Sequence, residues 1–302
     1  MAPVTRPSRL RSLPLARTLT VTPPLRFAHA GQLDAQQSDH DPRESDFGFD
    51  NVTVDLRGCE DIAPAGMLWC LMYAMLVRKT GAACEVWVPE SVGVCVYLKS
   101  SGLIDILKEA DVLIDDRGIA SADDGRFVLP LTRLASMFDA EQAANSATES
   151  LMESGLIVSN LVPLLNETFG ELANNATEHA DSRVDSYGLI QFYESGAVRY
   201  IVCAVADGGI GIRASLARNP EYERKLPYDW RAIEYAIQER TSGTGSPTRG
   251  IGLATVAADM IQPGCQLIIH SGIGNLYMQP DYQSTRRTNL FPGTVAIATI
   301  PC

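Results

Sequence analysis

Three short runs of this 302-residue chain gather side chains with the polarity and reach to do chemistry. The first is Glu171, Asn175 and His179 in ELANNATEHA. A spacing of four puts them on one helix face, a turn apart. The Asn175 amide oxygen is a hard donor suited to a hydrated Mg²⁺, and the Glu171 carboxylate beside it can polarise a water. The second run is DGGIGI, Asp207–Ile212, directly after an apolar strand. A carboxylate ending a strand can accept a hydrogen bond from an exocyclic amine. Gly208, Gly209 and Gly211 let the backbone come close to a flat ligand. The third is GTGSPTRGIGL, Gly243–Leu253. Gly250 and Gly252 open a helix whose free N–H groups form an anion site, and Arg249 adds a charge suited to phosphate. Each run also has a plain account: a polar helix face, a glycine-rich turn, a flexible loop before an ordinary helix start. No Gly-Lys-Ser/Thr follows the glycines, so the third run is not a P-loop. The glycines lie in two distant loops, which is unlike a Rossmann signature.

The elements around these runs follow from periodicity. Val52–Leu56 alternates and is β-branched, a strand. Pro64 suits a first helical turn, and residues 65–79 continue as a mostly apolar helix ending at Gly81. Cys84–Val88 is a second strand, and a helix runs from Ser91 to about Ser100. This alternation predicts a small α/β unit over 48–120. Residues 121–157 read as a linker with a strand at Phe127–Leu131 and a helix from Asp139 to Ser154. Over 158–302 the pattern is a long helix, Val158–Ala180, then strands Tyr187–Glu194 and Val198–Val205. Helices at Asp229–Arg240 and Ile251–Ile261 follow, with strands near Gln266–His270 and Thr294–Ile300.

Composition bounds the rest. A hydrophobic fraction of 46% supports a packed core, and a net charge of −11 argues against general nucleic-acid or anionic-lipid binding. No apolar run reaches 18 residues, so no membrane span is expected. Seven cysteines without a C-x-x-C pair are expected as reduced thiols of a cytoplasmic protein. Residues 1–47, with five arginines and five prolines in the first thirty, are expected as a disordered tail.

The order of motifs adds a resemblance. E-x-x-x-N on a helix, D-x-G-x-G after a strand, G-x-G-L opening a helix and Gly293-Thr294 at a last strand together resemble the GHKL ATPase superfamily over 158–302. The nearest branch is the one that includes anti-sigma-factor serine kinases. The resemblance implies a two-layer α/β sandwich of the Bergerat type binding ATP and Mg²⁺. It implies Asn175 as metal ligand and Glu171 as activator of the attacking water. Asp207 would read adenine, with Gly209, Gly211 and Thr294 beside the base. Arg249, Gly250, Gly252 and Leu253 would form the phosphate end, and Arg213–Arg249 a mobile lid. The stretch VTVDLRGCEDIAPAGMLWCL, with CEVWVP and VYLKSSGLIDIL, is similar to a STAS domain. Where that family's loop carries serines, this chain reads Ala63-Pro64-Ala65-Gly66, with no hydroxyl to phosphorylate. The implied function is a regulatory protein whose conformation follows bound nucleotide, a slow ATPase. The alternatives are a serine/threonine kinase of the anti-sigma type and a nucleotide-binding module without turnover. A regulator protein is the implied partner, and a homodimer is compatible with the sequence. A sensor histidine kinase is excluded, since no histidine lies in a dimerisation helix before the ATP domain.

Overall fold

The structure, a computed structural model, describes residues 16–23, 26–27, 40–120, 125–157, 159–238 and 252–302. It is a mixed α/β protein with a four-stranded parallel sheet and a five-stranded antiparallel sheet.

The N-terminal unit builds the parallel sheet from β1 (Thr18–Val21), β3 (Asn51–Asp55), β5 (Ala83–Trp87) and β6 (Leu113–Ile114) in that order, with a small β2 (Arg26–Phe27) and β4 (Asp61–Ile62) pair alongside. Its helices are α1 (Pro64–Lys79), α2 (Val92–Ser100) and α3 (Leu103–Glu109). The expected tail therefore does not hold for the described part of residues 1–47. Thr18–Val21 pairs in parallel with Asn51–Val54, and Phe47 is buried. Residues 1–15 lie outside the described residues.

The C-terminal unit orders its antiparallel sheet β10–β11–β9–β8–β7, from β7 (Phe127–Leu134), β8 (Ser186–Ser195), β9 (Val198–Asp207), β10 (Gln266–Gln279) and β11 (Tyr282–Pro301). β7 is an edge strand of this sheet and α4 (Met137–Glu153) packs on it, so most of the expected linker belongs to this unit. The remaining helices are α5 (Val162–Glu178), α6 (Gly211–Ala217), α7 (Pro220–Glu223), α8 (Asp229–Ala236) and α9 (Gly252–Asp259).

Period-two alternation decides which strand residues see which layer. In β9, Ile201, Cys203 and Val205 pack under α4, α5 and α9. Val202, Ala204 and Ala206 point the other way, into a core shared with α1. A sheet covered on both faces explains the uninterrupted apolar run of β9. It also explains α1, of which 13 of 16 residues are buried: the helix is clasped between the two sheets and needs no polar face. The two units thus stack as layers around a shared core. All seven cysteines are free thiols, six of them buried. Among the described residues no helix is long and apolar enough to cross a membrane.

Candidate functional site

One side of the antiparallel sheet, the side under α5, collects most of the residues singled out above. α5 begins with Pro163 in its first turn and buries Leu165, Phe169, Leu172, Ala173 and Ala176 against the sheet. That stripe leaves Glu167, Glu171, Asn175 and Glu178 on the opposite side. Asn175 Nδ2 donates to the Glu171 carbonyl at 2.6 Å. Its amide oxygen is then left for other partners. Burial pushes the Glu171 carboxyl up from its ordinary value, and the charges of Glu167 and Glu178 push it the same way. Among the described residues no three His, Cys, Asp or Glu side chains converge on a common metal position. The Asn175 amide oxygen is a hard donor that could ligate a cation at this place.

The start of α9 meets this helix directly. A Cβ at Gly252 would lie 2.0 Å from Glu171 Oε2 and 3.5 Å from Asn175 Nδ2. The first and third sequence runs therefore share one place, and a Cβ at this position would push the Glu171 carboxylate aside. We expect Gly252→Ala to displace Glu171 and lower any turnover about a hundredfold, the scale set by a misplacement of about 1 Å, with Tm little changed. Steady-state phosphate release checks this; unchanged turnover would detach Gly252 from the site. Leu253 is half-buried behind Gly252, packed against the helix-side core. Arg249 and Gly250, like Gly243 and Gly245, lie outside the described residues.

The other end is built at the tip of β9. Asp207 is 5% exposed and stands opposite Thr294 of β11. Its Oδ1 accepts from the Gly209 N–H at 2.8 Å. Burial pushes its carboxyl up to about 7, opposed by the backbone N–H groups of Gly209 and Thr294 and by the charge of Arg43. Gly209 is pressed on the chain just beyond α5: a Cβ there would lie 2.0 Å from the Ala180 carbonyl oxygen. That same oxygen accepts from Ile210 N–H at 2.8 Å. Gly211 has φ +80° and opens α6 against Ser271. His179 is the residue that ends α5, between the two regions.

Two residues of this end escaped sequence reasoning. Ser271 Oγ accepts from Ile212 N–H at 2.8 Å and sits 3.0 Å from Thr294 Oγ1. Its only sequence signal is the alternation of QLIIHS, which puts Ser271 on the same face as Leu267 and Ile269. Arg43 donates to the Gly209 carbonyl at 2.6 Å and is held by Asp41. It lies in a polar run that carries no local signal of order.

Thr294 was expected where the last strand opens; it sits well inside β11, because the β10–β11 hairpin continues to a tip beyond Gln279. Part of the expected lid is folded. Over 213–238, α6 and α8 build a small core from Leu216, Leu226, Ala232 and Ala236, and Asp229 accepts from Ile273 N–H at 2.9 Å. This part is folded onto the hairpin, and the remainder of the expected lid, 239–249, lies outside the described residues.

A scan of the sequence against protein-family models found no match, and neither did a search of curated proteins.

Proposed function

We propose that the chain is an Mg-ATP-binding regulatory protein, a slow ATPase whose conformation follows the nucleotide, with a GHKL-type ATP domain after a STAS-like unit. The observation that carries this reading is a two-ended site along α5. At one end the Asp207 loop is pinned to Ala180, and at the other the start of α9 at Gly252 lies against the Glu171 and Asn175 side chains. Seven residues of helical rise, roughly 10 Å, take α5 from Glu171 to its end at Glu178, and Ala180 stands beyond that end, so a nucleoside triphosphate could lie along the helix between the two. The antiparallel sheet with α4, α5 and α9 on one face supports the domain assignment.

In this reading Asp207 accepts the exocyclic amine of the base, and Thr294 and Ser271 hold the hydroxyls that order water or ring nitrogens beside it. The α9 N-terminus at Gly252 turns backbone N–H groups toward phosphate oxygens. Bound Mg²⁺ supplies charge neutralisation of the phosphates. Glu171 takes the proton of the water whose oxygen attacks the terminal phosphorus, as the bond to the bridging oxygen breaks and ADP leaves. Its raised pKa makes it a better base than an exposed glutamate.

Incubation with ATP labelled at the terminal phosphate tests the reading. Labelled free phosphate supports it. Label on a second protein would instead make the chain a kinase, and absence of any nucleotide binding would overturn both. Glu171→Gln should keep ATP affinity within about threefold and lower phosphate release by about a hundred- to ten-thousandfold, the usual worth of a general base. Normal turnover in that variant would remove Glu171 from its role.

A further inference from the structure

The opposite face of the same sheet carries a cavity, distinct from the site along α5. It has a volume of about 320 Å³ and lies between the start of α1 and strands β10 and β11. Ile268, Val295 and Ile297 form an apolar floor, and Tyr277 and Tyr282 flank it with ring centroids 6.1 Å apart. A larger cavity of about 620 Å³ adjoins it, sharing Ala65, Ile268 and Ile297 with it. The size falls in the range of small-molecule sites.

Its polar groups are what make it specific. His270 lines the cavity at 0% exposure. Nε2 stands 2.7 Å from the Asn289 carbonyl oxygen. A carbonyl oxygen at that distance requires the ring hydrogen on Nε2. Burial, with the Arg286 charge acting in the same direction, brings the ring down to about 4. The imidazole is therefore neutral, and Nδ1 carries a lone pair. That atom has no partner at hydrogen-bond geometry among the described residues, and the Gly272 backbone beside the ring favours the protonated form without outweighing burial. An orphaned buried acceptor costs stability unless something donates to it. Asn275, 8% exposed, adds a second polar group, and Arg286 faces the cavity with no acidic partner among the described residues.

We propose that this cavity binds one small organic anion, with its negative group on Arg286, an O–H or N–H donor on His270 Nδ1, and an apolar body against the tyrosine rings and the Ile268, Val295 and Ile297 floor. The assignment uses both ends of the guest: the lone pair selects a donor and the guanidinium selects a charge. A purely apolar guest would leave both unanswered, and a simple inorganic anion would leave the donor position empty.

Three probes present a phenol and a carboxylate at increasing separation: para-hydroxybenzoate, para-hydroxyphenylacetate and para-hydroxyphenylpropanoate. Titrated calorimetrically into the full-length protein, at least one should bind saturably. Its analogue without the hydroxyl and its methyl ester should each bind about tenfold or more weakly. Arg286→Ala, on an exposed position, should erase the preference for the acid over the ester. His270→Phe should erase the preference for the hydroxyl, and in the wild type the His270 Nδ1 nitrogen resonance should shift on binding. Absence of saturable binding by all three probes up to a few millimolar overturns the proposal. So does binding that ignores Arg286→Ala and leaves the His270 resonance in place.

Discussion

Asp207→Asn is expected to weaken adenine-nucleotide binding by about 2–3 kcal/mol, roughly thirty- to a hundred-and-fifty-fold in Kd, the worth of a hydrogen bond to a charged group. The carboxylate is both buried and placed beside Thr294, so no water replaces it cheaply. The substitution keeps shape, removes the charge and turns one of the two acceptor oxygens into an N–H donor. Its pH behaviour gives a second, independent reading. The folded-state carboxyl lies at about 7, above the ordinary 3.8. A raised carboxyl contributes stability that is fully present below about 3.8 and is lost as pH rises through about 7. The carboxylate accepts from the base's amine more strongly than the neutral acid does, so binding pulls the equilibrium the other way. Affinity in the wild type should therefore climb as pH passes upward through about 7, and the thermal shift given by ADP should climb with it. In Asp207→Asn both should be flat. A wild-type affinity independent of pH would place the base elsewhere.

Trp69→Ala is expected to cost about 3–5 kcal/mol, the range for truncating a buried tryptophan, against a total stability of about 5–15 kcal/mol. Trp69 is 1% exposed and stacks on Tyr73 at 4.8 Å. Its indole N–H donates to the Leu290 carbonyl at 3.3 Å, which ties α1 to β11. The loss is therefore felt by both units together. Urea unfolding followed by circular dichroism should show one transition with its midpoint sharply lowered. A small shift, or two separate transitions, would mean that the units do not share their core. The same contact predicts that residues 125–302 expressed without the N-terminal unit expose the outer faces of β9 and β11 and aggregate.

Much of the helix layer is legible from sequence because its signals are local. α5 shows its buried stripe at Leu165, Phe169, Leu172 and Ala176, and β9 shows itself as an apolar run closed by Asp207. The ends of elements shift by a few residues, as at α8, which stops at Ala236. What remains hidden depends on distant pairing. β1 is an edge strand held by Asn51–Val54, more than thirty residues away, and TLTV alone is too short to declare itself. The outer part of the β10–β11 hairpin is rich in Gly, Asn, Ser and Thr, residues that read as loop. Cross-strand pairing and the docking of α8 on Ile273 hold it extended. Ser271 and Arg43 enter the site by way of that pairing and of a folded segment with no periodic pattern.

Chain neighbours in β10 and β11 look to opposite sides of one sheet. Ser271 and Thr294 meet each other over the α5 side, whereas His270 and Val295 border the cavity beside α1. Successive side chains alternate between the two faces, so a peptide plane in these strands cannot tilt without moving a side chain on each face. The two compartments are thus separated by a single thickness of backbone that behaves like a common wall.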